Sequence, residues 1–215
     1  MKKKILMQLT AAALTAGMCI SGAGAAFTDV STDAWYYNAV TDCTDYGMMK
    51  GYDDGCFRPS ANMTRAQCAQ ILSNLKSDWN VEIPYIDVQS GKWYYNVVRD
   101  YGMYMGGSYT DKNHMNMFGP YRYFYPEKAC TREDFAMGLY HVLGWDSDGW
   151  KYRFNDMDAF SSSVDDYYNY IQAGCAVANN GLMIGDTHGN FNPKKNITRA
   201  EVAQVLSNYL NNVEG

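Results

Sequence analysis

The chain has 215 residues, with 18 basic and 23 acidic side chains and a net charge of −5. This acidic balance argues against a general nucleic-acid binder, which needs a basic face. The length suits one or two ordinary domains, so the periodicity of the sequence has to decide how the chain is organised.

The first 25 residues are predicted to be a secretory signal peptide. Residues 2–4 are all lysine, an apolar stretch follows from residue 5 to about residue 20, and residues 23–25 read Ala-Gly-Ala, which is typical of a cleavage site. A membrane anchor is the alternative, but the stretch is short and contains three polar residues. The three lysines leave with the leader, so the mature chain has 15 basic against 23 acidic residues. No later stretch is apolar enough to span a bilayer.

Three copies of one unit follow, and they dominate the sequence. Each copy opens with an aromatic residue, any residue, an aspartate and an aliphatic residue; the aspartates are Asp29, Asp87 and Asp156. A helical stretch rich in aromatic residues comes next and ends at a glycine. A turn then leads to an aromatic residue before a proline, and a second helix completes the copy, so we expect an all-α chain. We place the copies at residues 26–79, 80–147 and 148–215.

The second helix of each copy is predicted to be capped and amphipathic. In the third copy Thr198 is the N-cap, and Glu201 lies three residues later, where it completes a capping box. Apolar residues recur with helical spacing, as at Cys68, Ile71 and Leu72 in the first copy. Because each helix needs a partner for its apolar face, the three helix–loop–helix units should pack into one compact body.

Cysteine usage predicts neither a metal site nor a required disulfide. Five cysteines remain after the leader, an odd number, and no Cys-x-x-Cys or Cys/His spacing is typical of zinc. When the copies are aligned, Cys68 and Cys130 fall in columns of apolar residues, so both should be small core residues. No cofactor is expected.

The second copy departs from the other two. Its first helix is predicted to be nearly one turn shorter, and an insertion of about a dozen residues lies at about 107–123. This insertion is rich in tyrosine and methionine. It is either a surface loop without a role or a remodelled binding edge.

In each copy, an arginine occupies the first position of the second helix; these residues are Arg65, Arg132 and Arg199. The unpaired N–H groups there already carry about half a positive charge, so an arginine costs about 0.3–1 kcal/mol unless something negative offsets it. An arginine beside helix N–H groups forms an anion site, and its guanidinium binds a carboxylate in bidentate fashion. The alternative is a buried strut, in which each arginine pairs with the aspartate of its own copy.

These motifs together resemble the S-layer homology domain family. The shared motifs are F-x-D-V, W-x-x-x-A-V, G-x-x-x-G, D-G-x-F-x-P and T-R-A-E/Q, and the first and third copies keep the glycine, aromatic-proline and Thr-Arg motifs at matching spacing. The resemblance covers nearly all of the mature chain, and three consecutive copies are the usual number in this family. It implies a pseudo-threefold helical spindle around a central three-helix bundle, secretion to the bacterial cell surface, and non-catalytic binding of secondary cell-wall polysaccharide, often pyruvylated, in grooves between the copies.

The resemblance also implies that the Thr-Arg arginines are the main ligand contacts. The expected carbohydrate site comprises these arginines, two tryptophans and two glycines: Arg65, Arg132, Arg199, Trp35, Trp93, Gly51 and Gly185. For the two tryptophans, a core position in the helical arms is favoured over contact with sugar, which is the alternative. Anion binding at Arg132 is expected to be the weakest, because Glu133 adds an acid next to that arginine and the second copy also has the shortened helix and the insertion.

Several alternatives remain open from the sequence. Peptidoglycan is the alternative ligand, and surface-layer proteins are candidate partners. A surface adhesin that does not bind its own wall is the alternative function, and an enzyme that cleaves wall glycans is a further one. No catalytic residue is predicted, because the three histidines fall at unrelated positions of the copies and have no recognisable Ser, Cys or metal-ligand partner nearby.

Overall fold

A computed structural model describes residues 27–75, 83–105, 109–116, 119–145, 153–161 and 169–214. The predicted leader lies outside these residues, as do the predicted boundaries between the copies. Within the described ranges, no helix combines the length and hydropathy that a membrane span requires.

The described residues are mostly helical, which confirms the all-α class. The helices are α1 (Tyr37–Asp45), α2 (Arg65–Leu75), α3 (Tyr95–Tyr101), α4 (Arg132–Leu143), α5 (Tyr170–Asn179) and α6 (Arg199–Glu214), with 3₁₀ turns at Gly102–Tyr104 and Met157–Ala159. The predicted insertion contains an antiparallel hairpin of β1 (Tyr109–Asn116) and β2 (Gly119–Tyr123). The Ile86 N–H donates to the Arg122 carbonyl at 3.0 Å, which ties β2 to the start of the second copy.

The predicted capping boxes fix where α2 and α6 begin. The Thr198 N–H donates to Glu201 Oε2 at 2.8 Å, and the Glu201 N–H donates to Thr198 Oγ1 at 3.3 Å. Thr64 and Gln67 form the same reciprocal pair, at 2.9 and 3.2 Å. Such a pair satisfies N–H groups that a helix start otherwise leaves open, so the capping boxes of the first and third copies are confirmed.

The helices pair between copies. Helix α1 packs on α6, α3 packs on α2, and α5 packs on α4. Polar contacts reinforce the α1–α6 pair: the Cys43 thiol donates to the Ala203 carbonyl at 3.1 Å, and Ser207 Oγ donates to Asp42 Oδ2 at 2.7 Å. Each copy therefore buries its first helix against the second helix of a neighbouring copy, and the third copy closes back onto the first.

Three backbone hydrogen bonds link the copies in a ring. The Met63 N–H donates to the Ile197 carbonyl, the Ile197 N–H to the Cys130 carbonyl, and the Cys130 N–H to the Met63 carbonyl, each at 2.9 Å. These residues stand at the same position of the three copies, one residue before the N-cap threonine. The second copy therefore makes the same hydrogen bonds in this ring as the other two copies.

The core follows the second helices. Fully buried residues lie on all three of them: Cys68 and Leu72 on α2, Phe135 and Leu139 on α4, and Val202 and Leu206 on α6. Cys130 is also fully buried, so the predicted core position of Cys68 and Cys130 is confirmed. Helix α2 packs directly on α4. The complete spindle with its central bundle stays a prediction.

Candidate functional site

The aspartate that opens each copy holds the loop that carries the aromatic-proline motif. Asp29 Oδ1 and Oδ2 accept hydrogen bonds from the N–H groups of Phe57 and Arg58, both at 2.7 Å. Arg58 has a φ of 57°, a left-handed conformation that the two bonds stabilise. The same pair of bonds recurs in the other copies, from Phe124 and Tyr125 to Asp87 and from Phe191 and Asn192 to Asp156.

Each Thr-Arg arginine donates a hydrogen bond to the carbonyl of this aromatic residue. The arginine and the aromatic residue belong to neighbouring copies. Arg199 Nε donates to the Phe57 carbonyl at 2.7 Å. The equivalent bonds run from Arg65 to Phe124 and from Arg132 to Phe191, both at 2.8 Å. The predicted strut between arginine and aspartate of one copy is therefore wrong. The aspartate binds the N–H edge of one peptide unit and the arginine binds its C=O edge, so the arginine links two copies.

The backbone N–H groups at the start of these helices are already occupied. The Arg199 N–H donates to the Ala61 carbonyl and the Ala200 N–H to the Pro59 carbonyl, both at 2.9 Å. The other two helices make the corresponding bonds to Lys128 and Pro126, and to Lys195 and Pro193. These carbonyls supply the negative partner that an arginine at a helix start requires. They also leave the arginine side chain, rather than the N–H groups, as the group that meets an anion.

The first groove lies where α6 meets the loop of the first copy, and we define it by Lys50, Tyr52, Phe57, Arg58 and Arg199. Arg199 is only 7% exposed, and its Nη2 donates to the Lys50 carbonyl at 2.7 Å. Its Cζ lies 4.5 Å from the ring centroid of Phe57 and 4.9 Å from that of Tyr52. Within the described part of the chain, Arg199 forms no ion pair. Its charge is therefore available to an acidic ligand.

The second groove, formed by Arg65 and the loop of the second copy, is closed. Arg65 is 1% exposed, and its Nη1 donates to Asp134 Oδ2 at 2.9 Å. Its Cζ lies 4.6 Å from the Phe124 ring centroid. Nη2 is buried without a hydrogen-bond partner among the described residues. An internal carboxylate thus pairs with the guanidinium that was predicted to contact an acidic ligand.

The third groove, formed by Arg132 and the loop of the third copy, is acidic. Glu201 Oε1 lies 3.6 Å from Arg132 Nη1. Burial lowers the pKa of Arg132, while the negative charges of Glu201 and Asp186 act in the opposite direction. Hydrogen bonds from the Asn190 N–H and the Asn192 side chain lower the pKa of Asp186 to about 2, so this carboxylate stays charged. Arg132 therefore already has acidic neighbours.

The first and third grooves differ at matching positions of one turn. The turn bonds from the Tyr52 N–H to the Cys56 carbonyl, at 2.8 Å, and from the Asp186 N–H to the Asn190 carbonyl, at 2.9 Å, establish the match. Three groove positions change between the two copies: Lys50 to Ile184, Tyr52 to Asp186 and Arg58 to Asn192. The first groove therefore keeps cationic and aromatic side chains that the third groove has lost.

Glu133 and Asp134, the two acids that follow Arg132, have other partners than the sequence predicts. Glu133 accepts hydrogen bonds from the N–H and Oγ of Ser161, at 2.9 and 2.7 Å, and pairs with Lys194 Nζ at 2.6 Å. Its neighbour Asp134 is the residue that reaches a Thr-Arg arginine, and that arginine is Arg65. The predicted effect of Glu133 on Arg132 is therefore wrong, and weaker anion binding at Arg132 stays a prediction.

The two predicted tryptophans lie on the surface. Trp35 is 64% exposed and Trp93 is 47% exposed, so the prediction that they are core residues is wrong. Each ring meets the next tyrosine edge to face, with centroids 5.2 Å apart for Tyr36 and 5.3 Å apart for Tyr94. Their exposed faces suit sugar stacking, and their role as sugar contacts stays a prediction.

The two predicted glycines occupy tight places in the loops. A Cβ at Gly51 would lie 2.1 Å from the ring of Phe27. Gly185 has a φ of 84°, and a Cβ there would lie 2.7 Å from the Asn190 carbonyl oxygen. Both positions therefore require glycine for packing, and contact with a carbohydrate stays a prediction.

Gly185→Ala is expected to lower the free energy of unfolding by about 1–3 kcal/mol, because it combines a left-handed backbone with a clash against backbone atoms. Gly51→Ala is the matched control, because its clash is with a side chain that can turn, and its loss should be smaller. Urea denaturation of both variants measures the difference. Equal losses, or an unchanged Gly185→Ala protein, would contradict the packing argument.

Comparison with known sequences agrees with this repeat architecture. The profile of the S-layer homology domain matches residues 26–69 and 153–203. The middle copy lies outside these matches, and its equivalence rests on the hydrogen bonds that it shares with the other two.

Several similar proteins are known from bacterial surfaces. The chain is 27% identical over 220 residues to the surface-layer 125 kDa protein of Lysinibacillus sphaericus, which covers 99% of the chain and 17% of that protein. It is 26% identical over 212 residues to the S-layer protein EA1 of Bacillus anthracis, covering 95% and 22%. It is also 26% identical over 189 residues to an amylopullulanase of Thermoanaerobacterium thermosulfurigenes, covering 84% and 9%.

The chain thus spans only 17–24% of the length of the surface-layer proteins that it matches. The family match and these relatives place it among secreted proteins of the cell surface. Two regions of the chain thus match the S-layer homology domain, and its relatives include surface-layer proteins.

Proposed function

We propose that the chain is a non-catalytic anchoring module that binds an acidic secondary cell-wall polysaccharide, in its pyruvylated form, through the first groove. One observation carries the proposal: Arg199 forms no ion pair with any described residue, whereas Arg65 and Arg132 face carboxylates. The match to the amylopullulanase covers 9% of that enzyme, so it gives no reason to assign glycan cleavage to this chain.

The chemistry of the groove fits a carboxylate on a sugar. The hydrogen bonds of Arg199 to described residues use Nε and Nη2, which leaves Nη1 to donate to a ligand. A charge-assisted hydrogen bond is strong in a site that excludes most water, and Arg199 is mostly buried. A pyruvate ketal presents one carboxylate on a sugar ring. The exposed tryptophans, Trp35 and Trp93, are proposed as additional sugar contacts.

The first test is co-sedimentation of residues 26–215 with purified cell-wall sacculi, before and after the secondary polymer is stripped chemically. We expect binding that is lost on stripping. Binding that survives stripping would identify peptidoglycan as the ligand. No binding to either preparation would overturn the anchor and leave a surface adhesin as the better function.

Arg199→Ala is expected to weaken binding to intact sacculi on the order of 10- to 100-fold, because it removes a charge-assisted hydrogen bond. The matched control is Arg132→Ala, which should change binding much less, since Arg132 already faces Glu201. Melting temperatures of both variants separate binding from folding. A large stability loss with unchanged affinity would assign Arg199 to structure alone.

Added salt should weaken binding only moderately, because few contacts are ionic.

A further inference from the structure

Two arginines from different copies meet at one tyrosine in the first groove. Arg58 Cζ lies 4.0 Å from the Tyr52 ring centroid, and Arg199 Cζ lies 4.9 Å from the same centroid. Burial lowers the pKa of Arg199, and the positive charge of Arg58 contributes in the same direction. Both guanidiniums therefore lie within 5 Å of the centroid of one ring, although they come from different copies.

Arg58 is held in place by an internal counterion. Its Nη2 donates to Asp54 Oδ2 at 2.7 Å, and the side chains of Arg58 and Asp54 are 50% and 49% exposed. An ion pair this exposed contributes little to stability, so a ligand can replace it at small cost. Asp54 Oδ1 also accepts the Cys56 N–H at 3.0 Å, which keeps the turn intact when the ion pair is exchanged.

No other described groove repeats this arrangement. The residue at the Arg58 position is Tyr125 in the second copy and Asn192 in the third, and all three have a φ of 57–58°. The residue at the Tyr52 position is Asp186 in the third copy. The loop geometry is thus the same in all copies, and only the first copy places a second cation on it.

We propose that Arg58 is a second anion contact, so that Arg58 and Arg199 together hold one acidic group of the ligand beside Tyr52, with Asp54 as the counterion that the ligand displaces. This inference rests on the proposed function. It makes the bound ligand a bridge between the first and third copies. It also makes the acidic group, rather than the sugar ring alone, the feature that the site selects.

The probe for the test is a synthetic methyl glycoside that carries a pyruvate ketal, titrated calorimetrically into residues 26–215. Arg58→Gln should weaken binding about 10-fold, and Arg58→Lys should recover part of the loss because it keeps the charge without the planar fork. Asp54→Asn should tighten binding about 2- to 5-fold, because it removes the competing charge but keeps an oxygen for the Cys56 N–H. Arg122→Gln, at an exposed arginine of the hairpin, is the matched control and should bind like the wild type.

The outcomes separate this inference from the proposed function. A wild-type protein that does not bind the ketal defeats both. A wild type that binds and loses affinity on Arg199→Ala, while Arg58→Gln and Asp54→Asn leave affinity unchanged, keeps the proposed function and overturns the second contact. Equal binding of the ketal and its methyl ester would also overturn it, since the ester carries no charge for Arg58 to hold.

Discussion

Replacing Arg65 with alanine should lower the free energy of unfolding by about 3–5 kcal/mol, because it leaves one member of a buried ion pair without its partner. Asp134, which is also buried, would lose the guanidinium that lies 2.9 Å from its carboxylate. The Phe124 carbonyl would also lose its donor from Arg65 Nε. Urea denaturation at pH 7 measures the loss.

Two further variants test the cause of this loss. The double variant Arg65→Met/Asp134→Leu removes both charges and should recover much of the stability, since an apolar pair often replaces a buried ion pair at little cost. Arg58→Ala breaks an exposed ion pair and should cost much less than Arg65→Ala. If Arg65→Ala had nearly the wild-type free energy of unfolding, the buried ion pair would not be important for stability.

The first copy alone, residues 26–79, is expected to show no cooperative folding. Its α1 buries Ala39, Val40 and Cys43, and α1 packs on α6 of the third copy. Its α2 begins with N–H groups that donate to carbonyls of the second copy. Both helices would therefore expose apolar surface and lose backbone partners, and helices this short are not stable alone in water.

Circular dichroism and proton–nitrogen NMR spectra of residues 26–79 test this, with residues 26–215 as the control. The isolated copy should show little helix and poor peak dispersion, while the control melts cooperatively. A chain that ends at residue 195, and so lacks α6, should also lose its cooperative transition. A sigmoidal melt of the single copy would show that the copies are independent units.

Local features of the fold follow directly from the sequence. The capping boxes at Thr64 and Thr198 depend on residues three positions apart, so spacing alone predicts them. The buried positions of Cys68 and Cys130 follow from the alignment of the copies. Such features need no knowledge of which parts of the chain meet.

Partner choice could not be predicted in the same way. An apolar helix face shows that a helix is buried, but it does not say which helix covers it. The pairing of Arg65 with Asp134 joins residues 69 positions apart, and the local sequence at either residue does not predict the other as its partner. The exposure of Trp35 likewise depends on the neighbours of α1. The sequence shows that Tyr52 and Asp186 differ. Only the matching hydrogen bonds of the two turns show that these residues occupy equivalent positions in their grooves.

The closed ring of copies has a consequence for secretion. Contacts between α1 and α6 join residues 160 positions apart, from Cys43 to Ala203, so the body closes only when its final helix is available. Long-range closure of this kind slows folding and suits a chain that crosses a membrane before it folds. The first groove joins the loop of the first copy to the start of the last helix. A chain cut short before α6 would therefore lack the groove, and under the proposed function it would not bind the wall polymer.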